Sequence, residues 1–422
     1  MDLEAQEFFV RAEVLKFGAR VLGEFITWRL ENEAAPTCQN HHQPVRMHSD
    51  GKESKGLLLI LGEVTLTRRR WVCPVCSTVR YAADEALDVV DTGFSPGVRR
   101  LIAEVGAKEP FGEGARTLDL LAAVSVDEKD VERVAEATGR QVDAWMQEQG
   151  AVALALASAG QAVVQEAPDT LYIEYDGTGA PMRKKELEGV VGKGVDRKAK
   201  TREAKIGCVF TQTTLDKDGR PVRDEASTTY VGAIENSTDF GHRIHQEAVR
   251  RGLHQARQVY VLCDDQAYNR TIHDEHFAKA PRIVDNQHAR EHLADFMREV
   301  ARRPINGPDH ERCYAALDDG RIEDLLADFA NMLPASGARR KKGLREMAYF
   351  RRNTEMMRYG EFRRQGLFIG SGVVESSCRT IVGKRLKQPG MFWSLSGANA
   401  ILALRCCILS NRFDDFREDR AA

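Results

Sequence analysis

The sequence predicts an α/β fold: a mixed-sheet catalytic domain with a helical insertion, preceded by a small zinc-ribbon-like β module and a helical region. Three observations predict it. Two short apolar runs, 170–175 and 259–263, have strand character, and each ends on an aspartate. Residues 290–365 are patterned almost wholly for helix, with Pro304 and Pro334 as breaks. Strand-like runs at 57–62 and 64–70 lie between a Cys/His cluster and Cys73-Pro74-Val75-Cys76, the layout of two metal knuckles joined by a hairpin.

Taken in order, residues 1–35 read as an amphipathic helix with Phe8, Phe9, Val14, Leu15 and Phe17 among its apolar positions, stopped by Pro36. Residues 36–92 form the ribbon-like module. Residues 93–165 return to helix. Ser95-Pro96-Gly97 is an N-cap followed by proline at the first helical position. A second helix near 112–122 and a third from Asp127 make either a helix-turn-helix or an ordinary helical hairpin. The catalytic domain comprises 166–290 and 366–412. Within it, 205–215 and 227–231 read as a hairpin around Asp216-Lys217-Asp218-Gly219. A helix spans 242–251, a short strand 283–284, and two closing helices 371–386 and 396–409. Residues 291–365 are the insertion.

Composition narrows the class. A chain of 422 residues needs two or three cores. A net charge of −2 announces no nucleic acid globally, although local basic runs can still bind it. Nine scattered cysteines in so long a chain argue for a reducing cytosol over a disulfide framework. Met1-Asp2-Leu3-Glu4 lacks the basic start of a signal peptide. No apolar run approaches the roughly 18 residues that cross a bilayer. Residues 152–164 come nearest and read as an Ala-rich buried helix.

Asp176, Asp264 and Glu375 carry the chemistry. The two aspartates follow apolar strands, where α/β folds build sites, and Glu375 opens a helix after Gly370-Ser371-Gly372. Three carboxylates from separate segments can hold a pair of magnesium or manganese ions for in-line phosphoryl displacement. Taken singly, an aspartate at a strand end only caps a turn; the joint placement makes the case. Gly177 and Gly179 beside Asp176 would let a nucleic-acid backbone come close.

The chain resembles the ISKra-type insertion-sequence transposases of bacteria. The resemblance rests on residues 175–179, Thr201 to Gln212, Thr228-Thr229-Tyr230-Val231-Gly232, Val284-Asp285, His288-Ala289-Arg290-Glu291-His292, residues 370–375, 383–393 and 397–406. It covers the chain from about residue 38 onward. It implies an RNase H-like catalytic domain with Asp176, Asp264 and Glu375 as a DDE triad binding two Mg2+ or Mn2+. Double-stranded DNA, as terminal inverted repeats and target, would be the partner, and a homodimer or larger synaptic complex is expected. The place would be the bacterial cytoplasm, on the nucleoid, with no membrane. The group has glycine after its second aspartate; here Asp265 stands there, so Asp264 or Asp265 faces the metal, with Asp264 preferred because it directly follows the strand.

For zinc, Cys73 and Cys76 pair with Cys38 and His41, or with His42 as an alternative. Related transposases use a second Cys-x-x-Cys at this place, and zinc accepts the imidazole that replaces it. Arg68, Arg69, Arg70 and an exposed Trp71 would grip DNA. Further expected DNA contacts are Lys184, Lys185, Arg202 and Lys205 in the basic run 182–205, and Arg379, Lys384, Arg385 and Lys387 after Glu375. The run 338–365 carries ten Lys/Arg against three Glu, interleaved with Tyr349, Phe350, Tyr359 and Phe362, which either stack on bases or pack inward. Asp285 and His288 are expected near the pocket.

Two other readings compete. His288-x-x-Glu291-His292 matches a zinc-peptidase pattern without a clear third ligand. A DNA-binding protein derived from a transposase, without strand transfer, would keep the fold and lose the chemistry.

Overall fold

The computed structural model describes residues 2–31, 33–191 and 199–421. Lys193, Arg197 and Lys198 of the basic run 182–205 lie outside the described residues. The chain divides into two compact units, Met1–Thr138 and Gly139–Ala422. No helix among the described residues is long and apolar enough to cross a membrane.

The first unit opens with α1 (Leu3–Leu30), capped by the Asp2 carboxylate on the Ala5 amide at 2.8 Å. Two-residue strands β1 (Thr37–Cys38) and β2 (Val45–Arg46) pair antiparallel. A long hairpin follows, β3 (His48–Leu59) and β4 (Gly62–Val72), with β5 (Val79–Arg80) added at the edge of β4. Short α2 (Ala82–Ala86) leads to α3 (Pro96–Lys108), which starts as expected: Ser95 Oγ accepts the Val98 amide and Pro96 takes the first turn. Next come α4 (Phe111–Thr117), a π-helical turn Leu118–Ala122, and α5 (Glu128–Ser158), in which the unit boundary falls. The apolar faces of α3, α4 and early α5 enclose Val98, Ile102, Leu118, Val124 and Val131.

The second unit is built on one mixed sheet. Its strands are β6 (Thr170–Pro181), β7 (Thr201–Leu215), β8 (Pro221–Arg223), β9 (Thr229–Ala233), β10 (Gln258–Cys263) and β11 (Arg282–Val284). Their order is β11-β10-β6-β7-β8, with β9 also pairing β7. β6, β10 and β11 run parallel; β7 is antiparallel to β6, and β8 and β9 are antiparallel to β7. The expected hairpin partner 227–231 is therefore split. Asp216 accepts amides of Asp218 and Arg220 to turn the chain into β8, and β9 begins only after a second turn held by Asp224.

Around this sheet lie α6 (Ser237–Arg250), α7 (Ala267–His276), α8 (Asn286–Asp295), α9 (Pro308–Asp318), α10 (Ile322–Met332), α11 (Gly337–Arg352) and α12 (Tyr359–Arg364). The last four lie in the expected insertion. The closing segment is α13 (Gly372–Ser377), a π-helical stretch Cys378–Gly383, α14 (Lys384–Leu386), α15 (Leu395–Leu409) and α16 (Phe413–Ala421). One sheet face packs Leu171, Ile173, Tyr175 and Val261 against Phe240, Ile244 and Ile272 of α6 and α7. α13 packs on β6 and β7.

Candidate active site and metal centre

Parallel pairing of β6 and β10 brings the two aspartates into one region. Leu262 pairs with Glu174 as the last pair of that ladder; Asp264 follows the end of β10 and Asp176 lies within β6, which runs on past the expected end at Tyr175, each acid two residues beyond that pair. Asp176 is half-buried, and its carboxylate accepts the Gly177 amide at 2.7 Å. Burial raises its pKa. The charges of Asp264 and Glu375 raise it further, against the lowering effect of the Gly177 amide and His288. The three acids thus share one electrostatic neighbourhood.

Asp264 and Asp265 have different surroundings. Asp264 accepts from the Asn269 side chain and from the Gln266 amide at 3.2 Å. Asp265 is 2% exposed at its side chain and is enclosed by three guanidinium groups: Arg270 at 3.1 Å, Arg282 at 3.4 Å, and Arg352. Its burial works against ionisation, but Asn353, Arg352 and Arg270 outweigh it and lower its pKa.

Glu375 is delivered by two buried carboxyl groups that the sequence reading did not assign this work. Asp285 is fully buried and caps α8, accepting the Gln287 amide at 3.1 Å and the His288 amide at 3.3 Å. The same carboxylate accepts the Ser371 amide at 3.1 Å. Glu174, also fully buried, accepts the Val374 amide at 2.9 Å. Burial, reinforced by Asp285 and Glu375 against the Val374 amide, pushes Glu174 up to about 8. Its signal in the sequence is a lone acid inside Leu171-Tyr172-Ile173-Glu174-Tyr175, two residues from Asp176 and so on the same strand face. Ser371 Oγ donates to Glu375 Oε1 at 3.0 Å. A π-helical stretch follows at once, a feature frequent at functional sites.

His288 Nε2 lies 3.9 Å from Asp285. Burial would depress its pKa, but Asp285, Asp264, Glu291 and Asp176 raise it. His292 is turned to other partners: its Nδ1 meets Glu346 at 2.7 Å and its ring stacks on Tyr349. A cleft of about 350 Å³ opens beside Asp264, lined by His288, His292, Arg345 and Arg352. A larger one of about 730 Å³, at the amino end of β10, contains none of the three acids.

The basic residues divide by environment. Lys184, Lys185, Arg379, Lys384 and Lys387 are exposed. Lys387 donates to Thr178 at 2.7 Å, two residues from Asp176. Arg202 is partly buried and donates to the Glu186 carbonyl at 2.7 Å. Lys205 and Arg385 are core residues. The Lys205 ammonium is bonded to the Glu235 carbonyl at 3.0 Å and paired with Glu203 at 3.1 Å. The Arg385 guanidinium lies over the Trp393 ring at 4.9 Å, and burial, with Arg405 nearby, lowers its pKa to about 10. Tyr349, Phe350 and Tyr359 pack inward. Gly177 and Gly179 serve internal packing: a Cβ on either would sit 2.7–2.8 Å from Glu203 or Thr201 of β7.

In the first unit, the β1–β2 hairpin carries Cys38 and His41, and the β4–β5 hairpin carries Cys73 and Cys76. Their donor atoms all lie within 4.8 Å of one another, and no other such group of His, Cys, Asp or Glu occurs among the described residues. Cys38 Sγ is 3.7 Å from Cys76 Sγ, and His41 Nε2 is 3.3 Å from Cys73 Sγ. The Thr78 hydroxyl and amide lower Cys76 to about 6, toward the thiolate that binds metal. This cluster can hold a metal such as zinc. Asp176, Asp264 and Glu375 are not gathered that tightly. Trp71 is buried at 5% exposure with its Nε1 donating to Glu33, in place of the exposed ring expected. Arg68 is paired with Asp84 and stacked on Tyr81, and Arg70 is paired with Asp50 and Glu53. Of the three arginines, only Arg69 has no ion pair among the described residues.

No protein-family model matches the chain, and no curated protein matches it.

Proposed function

We propose that this protein is a DDE transposase, cutting DNA at element ends and joining the freed 3′-hydroxyl to target DNA. The observation that carries this reading is that Asp176, within β6, and Asp264, just past the end of the neighbouring parallel strand β10, share one electrostatic field with Glu375. The strand order supports an RNase H-like fold: β6 is central, with antiparallel β7 and β9 on one side and parallel β10 and β11 on the other.

The donor set fits magnesium or manganese. It consists of carboxylate oxygens only, and the like charges that burden Asp176 are those a cation relieves. Asp176, Asp264 and Glu375 would hold them; Asp265 is committed to its arginines. When bound, such ions stabilise the attacking and leaving oxygens of a phosphoryl transfer.

The chain's own residues do the positioning. Glu174 and Asp285 fix the segment bearing Glu375. Lys387, Arg379 and Lys384 present exposed charge to a DNA backbone near Asp176 and Glu375. His288 adds a polar group beside Asp264. A structural zinc in the ribbon-like unit, end recognition by its helices, and a synaptic assembly complete the reading.

The test uses duplexes taken from the DNA flanking the gene, with magnesium and a target plasmid. End cleavage and strand-transfer products are expected, and Asp176→Asn should abolish both while leaving binding intact. Cleavage that survives in Asp176→Asn would remove the triad from the mechanism. Binding without cleavage would favour the DNA-binding reading, and cleavage without joining a simple nuclease.

A further inference from the structure

α1 is apolar on two opposite faces, and the fold covers one of them. Ala19 is buried, Leu22 and Ile26 pack on the cluster of Leu57, Leu59 and Leu66, and Gly18 and Gly23 bring the helix close to Leu61 and Val64 of the hairpin. On the far side, Val10, Val14, Phe17, Val21, Phe25 and Trp28 are each 50–65% exposed. Their three- and four-residue spacing is that of a helix-pairing seam. Six side chains leaving on the order of 100 Å² each give roughly 600 Å², close to the ~800 Å² one partner contributes to a standard interface.

We propose that this stripe pairs antiparallel with the α1 stripe of a second copy of the chain. The pattern is self-complementary when reversed. Leu3, Val10 and Val14 fall opposite Trp28, Val21 and Phe17 of the other copy, and a two-fold axis repeats each pairing. Charge agrees with this direction. Residues 2–13 hold Asp2, Glu4, Glu7 and Glu13 against Arg11, whereas 14–30 hold Lys16, Arg20 and Arg29 against Glu24. Reversal sets Glu4 beside Arg29 and Glu13 beside Arg20 of the other copy and opposes the two helix dipoles, against one like-charged level where Glu7 comes to Glu24. The proposal stands apart from the carboxylate chemistry.

Light scattering on the full chain at micromolar concentration should give twice the chain mass. Val14→Glu with Phe17→Glu should halve it, with circular dichroism and melting unchanged because both side chains are exposed. Mixing that variant with Val14→Lys, Phe17→Lys should restore the dimer, which a folding defect would not allow. Copies bearing Leu3→Cys should cross-link to copies bearing Trp28→Cys and not to themselves. A monomeric wild type, a dimer that survives the glutamate pair, or Leu3→Cys self-cross-linking would overturn the proposal. So would a monomer that sediments with anionic phospholipid vesicles, since the stripe would then face lipid.

Discussion

Glu174 accepts the Val374 amide at 2.9 Å, so a carboxyl buried within β6 holds the residue next to Glu375. With a pKa near 8 it is largely protonated at neutral pH, and a neutral isostere should replace it. Glu174→Gln is expected to fold with a melting temperature close to wild type. Glu174→Ala leaves a buried amide without its acceptor and opens a cavity, costing about 2–4 kcal/mol. Urea melts of the two variants check this; equal losses would mean that the hydrogen bond contributes nothing.

The neighbouring aspartates should separate stability from activity. Asp265→Asn removes the charge that balances buried Arg282 and the more exposed Arg270 and Arg352, and should cost about 1–3 kcal/mol, solvent screening two of the three partners. Asp264→Asn should melt like wild type and lose DNA cleavage. The opposite pattern would hand the metal to Asp265.

The knuckle cluster should bind one zinc per chain by elemental analysis, and Cys73→Ser with Cys76→Ser should lose it. In the metal-free protein Cys76 is exposed and readily ionised. It should therefore be the first thiol alkylated near pH 7, and zinc should protect it. Alkylation unaffected by zinc would exclude Cys76 as a ligand.

Gly139 lies where α5 meets α15. A Cβ there would sit 2.1 Å from the Ala400 carbonyl oxygen. Because backbone must move to admit it, Gly139→Ala should cost about 3 kcal/mol or more despite better helix propensity. A melting temperature equal to wild type would show that these helices part freely.

His245 packs against His276 at 5.1 Å between ring centres, with His254, His242 and Phe277 nearby. Burial first, then His276, His254 and His242, lower its pKa to about 4. Folding therefore favours the neutral ring. This stability is fully present above pH 6.5 and is lost as pH falls toward 4, because the unfolded chain binds the proton more readily. With solvent screening the loss is on the order of 1–2 kcal/mol. His245→Gln should flatten the melting profile between pH 7 and 4.5; an unchanged slope would exonerate the cluster.

The sheet and its acids were legible because their signals are local. Asp264 directly follows the apolar run of β10, Asp176 follows an apolar run whose strand continues to Pro181, and the Asp216–Gly219 turn and Ser95 cap announce themselves in a few letters. The fate of charged and aromatic side chains was not legible, since it depends on remote partners. Lys205 looked like a surface base until the Glu235 carbonyl claimed its ammonium, and Arg385 is covered by Trp393. Trp71 closes the knuckle core, Phe350 packs on Phe329 inside the insertion, Tyr349 stacks on His292, and the Tyr359 hydroxyl donates to the Val284 carbonyl of β11. Glu174 was hidden because one acid within a hydrophobic strand carries no period of its own. α16 was missed because its nine residues are mostly polar.

The Asp285 carboxylate joins the start of α8 to Ser371, closing a chain separation of 86 residues with a single side chain. The intervening helices leave and return at nearly one point, as a domain grafted into a loop does. A shortened protein with a brief linker in place of α9 and α10 should still bring its glutamate home, provided the surfaces those helices shield are made polar; α11 and α12 must stay, because Arg352 pairs with Asp265 and the Tyr359 hydroxyl donates to the Val284 carbonyl of β11. The outer part of this excursion is then free to drift without cost to the geometry at its base.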